Sequence, residues 1–470
     1  MLFNSYPFVF GFLPIALLAY WTLTAADARR ACAAFLILAS LCFYGWWNWH
    51  SLFLFGFSIL FNFGWSLTLA PAPGADAAAA RRRRARLGVG IAVNLALLGY
   101  FKYRNFLADS AGALLGAHWR MPALALPLAI SFFSFEQITF LVSAFRGESG
   151  AGDFVSYLLF IAFFPHLIAG PIVRYAQIYP QLNRHTRFRL TAANLSDGLM
   201  IFAIGLFKKV MLADALRPMA DPLFDRAMRL GFRDAWGGAL AFALEIYFDF
   251  SGYSDMAIGL ARMFGVAFPE NFESPYQARD IIQFWRRWHI TLSYFLRDYL
   301  YIPLGGNRRG KPRRVFNLFV TMLLGGLWHG ASWTFVIWSA LHGVYLWINH
   351  VWAERGHRLS GAAAWILTFL LTTVAWVFFR APTLSRAADF LVGMSGRNGF
   401  ASASTRNALG AHEFARILGG LLIVLFAPNR QAILAWQWDS DWLWAGAFAL
   451  LAGVGIMGMA NPPPFIYFQF

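Results

Sequence analysis

The chain contains a series of long apolar runs with very few charged residues inside them, and these runs constrain its fold more than any other feature. A helix needs about 20 mostly apolar residues to cross a bilayer, where unpaired backbone groups are too costly to leave exposed. The candidate spans are residues 6–23, 31–47, 52–70, 87–101, 124–145, 154–169, 199–212, 236–256, 315–328, 333–351, 362–379, 414–426 and 442–459. Several are short, so we expect some re-entrant or interfacial helices and roughly 11–13 membrane helices in all.

Composition supports an all-α, polytopic integral membrane protein. Hydrophobic residues make up 59% of the 470 residues and charged residues only 13%. A soluble domain carries about 25% charged residues, so an ordinary soluble enzyme is excluded. Aromatic residues reach 18%, which is far too much apolar surface for a disordered chain.

The basic residues outnumber the acidic ones, 39 to 23, and they cluster between the apolar runs. Such clusters are typical of cytoplasmic loops in contact with anionic lipid, so we predict a membrane partner and no nucleic acid. Arg29 and Arg30 follow the first run, and a run of arginines at 81–86 follows the third. Both loops are cytoplasmic if the N-terminus is periplasmic, in a multi-pass protein of the plasma (cell inner) membrane.

The chain shows no internal repeat and no segment typical of a soluble domain, so we predict one membrane domain over residues 1–470. Flexible loops are expected near 71–86 and 396–411, which are rich in small and polar residues or proline. No GxxxxGK[ST], HExxH or GxSxG pattern occurs, and the histidines lack zinc-site spacing. These absences argue against ATP hydrolysis, a zinc site and a serine-esterase triad, and we expect no bound metal and no bound cofactor.

Two histidines in apolar surroundings are candidates for catalysis. His329 ends an apolar run in the motif GLWHG, and His289 lies in the motif FWRRWH. A histidine can accept a proton near neutral pH, which general-base catalysis requires. The alternative for His329 is a hydrogen bond to a helix carbonyl. For the second motif, read as one helix, the alternative is an anchor at the membrane interface.

Two further segments place polar groups in apolar company. Glu245 and Asp249 are four residues apart and share a helix face, which suits acid–base work but suits ion pairs with Lys208, Lys209 or an arginine better. In the segment FPHLIAGP, at 164–171, two prolines and a glycine break a helix around His166. Broken helices at membrane depth are tolerated where they line protein or a water-filled cavity, so this segment predicts a cleft.

The ordered set of motifs resembles the membrane-bound O-acyltransferase family, and within it the membrane subunits of bacterial alginate O-acetyltransferases. The resemblance covers nearly the whole chain and rests on ISFFSF at 130–135, RG at 146–147, FPHLIAGP at 164–171, FDFSGYSDMA at 248–257, PENF at 269–272, FWRRWH at 284–289, LRDYLYIPLGG at 296–306 and GLWHG at 326–330.

The resemblance implies transfer of an acyl group, as acetyl, to hydroxyls of an exported polysaccharide such as alginate. It implies His329 as the catalytic base and His289 as a second functional histidine. A central funnel through a thinned membrane would connect a cytoplasmic donor, acetyl-CoA, with the acceptor, and a periplasmic acetyltransferase partner would complete the transfer. Relatives that pair the histidine with an upstream Asn or Asp differ here, because His289 occupies the position where that partner would be sought.

Other candidate residues follow from the same hypothesis. The funnel-lining candidates are Trp328, Trp285, His166, Asp249 and Asp255. The candidates for binding the donor's phosphates are Arg286, Arg287 and Arg308, although positive-inside charge explains them equally well. Three alternatives remain at this point. They are a transporter or export channel lined by the broken helices and carboxylates, a non-catalytic scaffold for an export complex, and D-alanyl transfer to teichoic acid within the same family.

Overall fold

The computed structural model describes residues 1–71, 76–117, 124–148, 153–183, 191–226, 229–357, 359–402, 409–435 and 441–460, with isolated positions 74, 119, 121, 122, 463, 465 and 466. Within these ranges the regular structure is helical and no strand occurs, which confirms the all-α prediction. Helices satisfy every backbone polar group inside one segment, which a chain this apolar requires in lipid.

The α-helices are numbered in chain order. The first eleven are α1 Leu13–Ala25, α2 Arg29–Gly45, α3 Ser51–Ser66, α4 Ala77–Lys102, α5 Arg104–Leu115, α6 Ile130–Arg146, α7 Phe154–Ala162, α8 Phe164–Leu167, α9 Tyr175–Asn183, α10 Ala192–Phe207 and α11 Asp214–Asp225. The others are α12 Phe232–Met263, α13 Ile281–Arg287, α14 Ile290–Leu296, α15 Gly310–His329, α16 Trp333–Glu354, α17 Gly361–Arg380, α18 Leu384–Met394, α19 Ala411–Phe426, α20 Arg430–Ala435 and α21 Asp441–Met457.

Four helices in the described part of the chain are long and apolar enough to cross a membrane: Pro7–Ala25, Ala77–Lys102, Gly361–Arg380 and Trp442–Ala460. This number is lower than the 11–13 predicted. Several predicted spans form helices that are too short, such as α3 with 16 residues. Others carry charge inside the helix, as in α12 with its four buried carboxylates, or at the beginning, as in α15.

The contacts within the chain divide it into two compact units. The first unit comprises residues 1–202 and 256–269, and the second comprises 203–255 and 270–470. The prediction of one membrane domain is not tested by this division and stays a prediction. In the first unit, Phe8, Phe43 and Phe164 pack with ring centroids 5.5–6.3 Å apart. These rings hold the broken segment around α8 against α2.

In the second unit, the antiparallel pair of α15 and α16 carries one of the candidate histidines at its connecting turn. The far ends of the two helices are joined by Glu354, which lies 2.8 Å from Lys311 Nζ and 2.5 Å from an Arg314 nitrogen. Hydrogen bonds from these two cations lower the pKa of the exposed Glu354 carboxyl to about 2. The carboxyl is therefore ionised at physiological pH, and it keeps the two helix ends together.

The two predicted loops differ from expectation in part. The segment 71–86 is helical from Ala77 onward, because Asp76 caps α4 by accepting a hydrogen bond from the Ala79 amide. The arginine run at 81–86 therefore lies in the first turns of α4 and not in a loop, which corrects the prediction. Residues 403–408 of the second predicted loop lie outside the described residues, and α19 begins at Ala411.

Candidate active site

His329 is the last residue of α15, at the tight connection to α16. Glycines on either side make this connection possible. A Cβ at Gly326 would lie 2.3 Å from Ser339 Oγ, and one at Gly330 would lie 2.1 Å from the ring of Phe335. Because no larger residue fits at these contacts, the GLWHG motif fixes where α15 ends and keeps His329 buried there.

His289 lies at a sharp turn between α13 and α14. Its backbone φ is +42°, in the left-handed region that residues other than glycine rarely adopt. The amide of Ile290 donates to the carbonyl of Asn271 at 3.0 Å, which holds the turn. Reading the FWRRWH segment as one helix is therefore wrong, since the chain changes direction at this residue. The turn directs a fully buried imidazole into the second unit.

The side chain of Asn271 determines which nitrogen of His289 carries the proton. Asn271 Oδ1 lies 3.0 Å from His289 Nδ1 and accepts a hydrogen bond from Thr291 Oγ1 at 2.9 Å, while Asn271 Nδ2 donates to Ser254 Oγ at 2.9 Å. Because an acceptor faces Nδ1, this nitrogen must donate, and Nε2 keeps its lone pair. His289 Nε2 is buried without a hydrogen-bond partner among the described residues, so it is available to a substrate.

The two predicted histidines lie together. The ring centroids of His289 and His329 are 6.3 Å apart, and the ring of Trp328 lies 6.0 Å from the first and 5.0 Å from the second. Phe250 packs edge-on against His289 at 4.7 Å, and Trp338 packs edge-on against His329 at 5.3 Å. Two imidazoles in an aromatic enclosure can handle a proton where water is largely excluded.

A third histidine, His342 on α16, belongs to the same cluster and was not singled out from the sequence. Trp285 Nε1 donates to His342 Nδ1 at 3.3 Å, and the ring of Trp338 lies 5.0 Å from His342. Because Trp338 also contacts His329, the predicted residue Trp285 is joined to the histidine pair. The sequence does contain a feature that could have identified it, since His342 precedes a glycine in an apolar run, as His329 does.

The carboxylates that we proposed as funnel-lining residues are held in ion pairs. Lys209 Nζ lies 2.5 Å from Asp249 Oδ1. Asp255 is paired twice, with Lys208 Nζ at 2.7 Å and with Arg430 Nε at 3.0 Å. Charges buried at membrane depth are tolerated through such pairing. The arrangement favours a structural role for both aspartates over a place on a substrate path.

His166 lies in the first unit, within the broken segment that the prolines predicted. Helix α7 ends at Ala162 and the four-residue α8 begins at Phe164, which confirms the predicted break. His166 Nδ1 lies 2.8 Å from Glu136 Oε1, and both side chains are buried. Glu136 was not recognised as a candidate, although a single acid inside the apolar run of α6 was a sufficient signal.

The three arginines proposed for donor binding are not brought to one place. Arg286 and Arg308 are exposed, whereas Arg287 lines an open cavity of about 670 Å³ in the second unit. Neither of the exposed pair is among the residues that line this cavity. Among the described residues, no three His, Cys, Asp or Glu side chains are grouped so that they could hold a metal ion.

Comparison with known proteins supports the resemblance drawn from the motifs. Residues 132–381 match the model of the membrane-bound O-acyltransferase family. The chain is 37% identical to a peptidoglycan O-acetyltransferase of Helicobacter pylori over 100% of its own length and 98% of the relative. It is 42% identical to a probable alginate O-acetylase of Pseudomonas aeruginosa, over 82% of the chain and 73% of the relative. A teichoic acid D-alanyltransferase of Streptococcus thermophilus is 27% identical over 50% of the chain and 59% of the relative.

Proposed function

Because the chain belongs to the membrane-bound O-acyltransferase family, we propose that this membrane O-acetyltransferase moves acetyl groups from cytoplasmic acetyl-CoA to hydroxyls of an exported polysaccharide. Alginate and peptidoglycan are the acceptor classes named for its relatives. We place the protein in the plasma (inner) membrane with its N-terminus periplasmic, and we expect a periplasmic acetyltransferase partner to complete the transfer.

The proposed reaction uses the two neighbouring imidazoles. His329 takes the proton of the acceptor hydroxyl while the hydroxyl oxygen attacks the carbonyl carbon of the thioester. The new O–C bond forms, the C–S bond breaks, and the thiolate leaves and recovers the proton from His329. His289, whose Nε2 keeps its lone pair, orients the acceptor by accepting a hydrogen bond from a second hydroxyl of the same sugar.

The observation that carries this proposal is the 6.3 Å approach of the His289 and His329 rings inside an aromatic enclosure. The same unit counts against the transporter alternative, because Asp249 and Asp255 are already neutralised by cations. D-alanyl transfer rests on a relative that matches only about half of the chain, so the acetyl group is the better proposal.

We expect His329→Ala to lower polysaccharide O-acetylation by about 10²–10⁴-fold, because a general base contributes about this factor. We expect His289→Ala to lower the rate strongly as well. A host lacking its own copy would express each variant, and mass spectrometry would measure ester-linked acetate on the surface polymer.

The matched control is His412→Ala, which removes an exposed histidine on α19. All variants should reach the membrane in equal amounts and elute as one species in detergent. Full acetylation by the His329 variant would remove this residue from the chemistry and revive the transporter alternative.

A further inference from the structure

Two residues near the end of the sequence are buried in the second unit, although the proposed reaction does not use them. Phe465 and Ile466 follow α21, and only 1% and 3% of their surfaces are exposed. By contrast, only 11% of the apolar stretch Trp442–Ala460 is buried inside the protein. The chain therefore returns from an exposed apolar helix into the core of the second unit.

The ring of Phe465 packs on two successive turns of α12. It stacks on Tyr253 with ring centroids 4.6 Å apart and an angle of 28° between the planes, and it lies 5.6 Å from the ring of Phe250. Residues three apart are neighbours on one face of a helix. Aromatic contacts at these distances add to the free energy of burial. Phe465 is therefore held on the face of α12 that carries Phe250.

The backbone of Ile466 is anchored by a buried carboxylate. The Ile466 amide donates to Asp249 Oδ2 at 2.9 Å, while Asp249 Oδ1 lies 2.5 Å from Lys209 Nζ. A hydrogen bond to an ionised acceptor is stronger than a neutral one. The contact needs an acceptor oxygen and not a charge, so Asp249→Asn would retain it. Withdrawing the segment would remove this bond and expose apolar rings, so it is a fixed part of the wall and not a movable plug.

Phe250 lies between Phe465 and His289. Its ring packs edge-on against the imidazole at 4.7 Å, and it lies 5.0 Å from the ring of Phe272, which follows Asn271 in the sequence. A reactive side chain keeps its geometry when the residues that line it are themselves fixed by packing. The orientation of His289 therefore depends on Phe250, and the position of Phe250 depends on the ring of Phe465.

We propose that Phe465 is a positioning residue for the acyl transfer, which holds Phe250 against His289 so that the lone pair at Nε2 stays directed at the acceptor. This inference rests on the proposed function, in which His289 orients the acceptor. Three prolines directly precede Phe465 in the sequence. Proline lowers the conformational entropy that a segment loses when it becomes ordered, which suits a segment that must stay in place.

The test measures the acetylation rate per folded molecule in a host that lacks its own copy. Mass spectrometry would measure ester-linked acetate on the surface polymer, and the amount of folded protein would be taken from the single species that elutes in detergent. We expect Phe465→Ala to lower this rate by about 10–100-fold, because small misplacements of reacting groups have effects of this size. Phe465→Leu keeps apolar bulk against Phe250 and should recover most of the rate.

Phe390→Ala is the matched control, since it removes an equally buried ring of the same unit that stacks on Phe224 at 4.1 Å and not on Phe250. Both alanine variants should lower the midpoint of thermal unfolding, but Phe390→Ala should leave the rate per folded molecule close to the wild-type value. The double variant Phe250→Ala, Phe465→Ala should be no slower than Phe250→Ala alone, because Phe465 acts through Phe250.

A wild-type rate in Phe465→Ala overturns the inference. Equal losses in Phe465→Ala and Phe390→Ala do so as well, since the ring would then only support the fold. Losses that multiply in the double variant would mean that the two rings act independently, and a faster Phe465→Ala would make the segment an obstruction. If the wild-type protein forms no polysaccharide ester, the proposed function fails together with this inference. Wild-type transfer with an unaffected Phe465→Ala refutes only the positioning role.

Discussion

The chemistry of His289 is determined by a neighbour that does not react. Asn271 presents its oxygen to Nδ1 of the imidazole while it also accepts from Thr291, and its nitrogen is directed to Ser254. The lone pair of His289 therefore points away from Asn271, at Nε2. A carboxamide in this position gives the imidazole an orientation without adding a charge, so it acts as a positioning residue.

Removing the oxygen of Asn271 should lower kcat more than it changes KM. We expect Asn271→Leu to reduce kcat by about 10-fold or more, because the other tautomer of His289 then becomes accessible and places a proton on Nε2. Asn271→Asp retains an acceptor and should recover most of the rate. Steady-state kinetics on purified protein would measure both parameters.

Ser254→Ala is the matched control for this prediction, since it removes a hydrogen bond of 2.9 Å from the other end of the same amide. It should leave kcat close to the wild-type value. Equal losses of kcat in Asn271→Leu and Ser254→Ala would show that the side-chain amide of Asn271 only supports the fold.

The histidine pair could be predicted from the sequence, but its supporting residues could not. His289 and His329 were recognisable because an ionisable group in an apolar run is costly and therefore functional by default. In the sequence, Asn271 is distinguished only by its place in the PENF motif, and His342 only by the glycine that follows it in an apolar run. Their roles depend on contacts between segments 18 and 57 residues apart, to His289 and Trp285 respectively, which local sequence does not encode.

At the scale of helices, the position of His329 depends on how closely α15 and α16 approach. The two helices meet at Gly326, where Ser339 Oγ and the carbonyl of Phe335 occupy the space that a side chain would need. The neighbouring Gly325 meets only a methyl group of Leu296, at 2.9 Å. The consecutive glycines Gly325 and Gly326 are therefore not equivalent.

We expect Gly326→Ala to destabilise the protein by about 1–3 kcal/mol, as overpacking does, and to lower activity by displacing His329 three residues away. Gly325→Ala should be tolerated better, because the side chain of Leu296 can move. The midpoint of thermal unfolding in detergent and the acetylation rate would be measured for both variants. Equal effects would mean that the helix contact does not determine where His329 lies.

The ion pair between Lys209 and Asp249 of α12 leads to a separate prediction about the stability of the protein. Lys209 lies between Asp249 and Asp214, at 2.5 and 2.6 Å. Lys209→Met leaves buried carboxylates without a cation and should cost about 3–5 kcal/mol. Adding Asp249→Asn and Asp214→Asn should restore part of that stability with activity retained. Activity lost in the stable triple variant would give these carboxylates a place in the chemistry.

The apolar runs predict that helices form, but they do not predict equally well where each helix begins, ends or breaks. The break at α8 followed from two prolines and a glycine, which act locally. The break at His289 has no such signal, because hydrogen bonds to Asn271 impose its left-handed conformation. In α4, a strongly basic run looked like a loop, yet the cap at Asp76 and the following alanines favour a helix.

For the whole molecule, the basic clusters set the expected orientation in the membrane. Arg30 follows the first candidate span as the second residue of α2, and Arg84 lies in the first turns of α4, with the rest of α2 and all of α3 between them. If α2 and α3 both cross, as the apolar runs at 31–47 and 52–70 predict, they return the chain to its starting side. Both clusters are therefore expected on the cytoplasmic side, where cations are retained during insertion.

This orientation can be tested with single cysteines. Cys32 and Cys42 are free, so a background of Cys32→Ser and Cys42→Ser carries no thiol. In spheroplasts, a membrane-impermeant maleimide should label Asn48→Cys, an exposed position between α2 and α3, but not Arg30→Cys or Arg84→Cys.

Inverted vesicles should give the opposite pattern, with both arginine positions labelled and position 48 protected. Because the proposed donor is cytoplasmic and the acceptor is exported, this orientation bears on the direction of transfer as well as on the fold. Labelling of Arg30→Cys and Arg84→Cys on opposite sides would show that α2 and α3 do not both cross, and would reverse the sidedness of every later helix. Labelling of both from outside would place the arginine clusters against the positive-inside rule, and acetyl transfer from a cytoplasmic donor would then need another route through the chain.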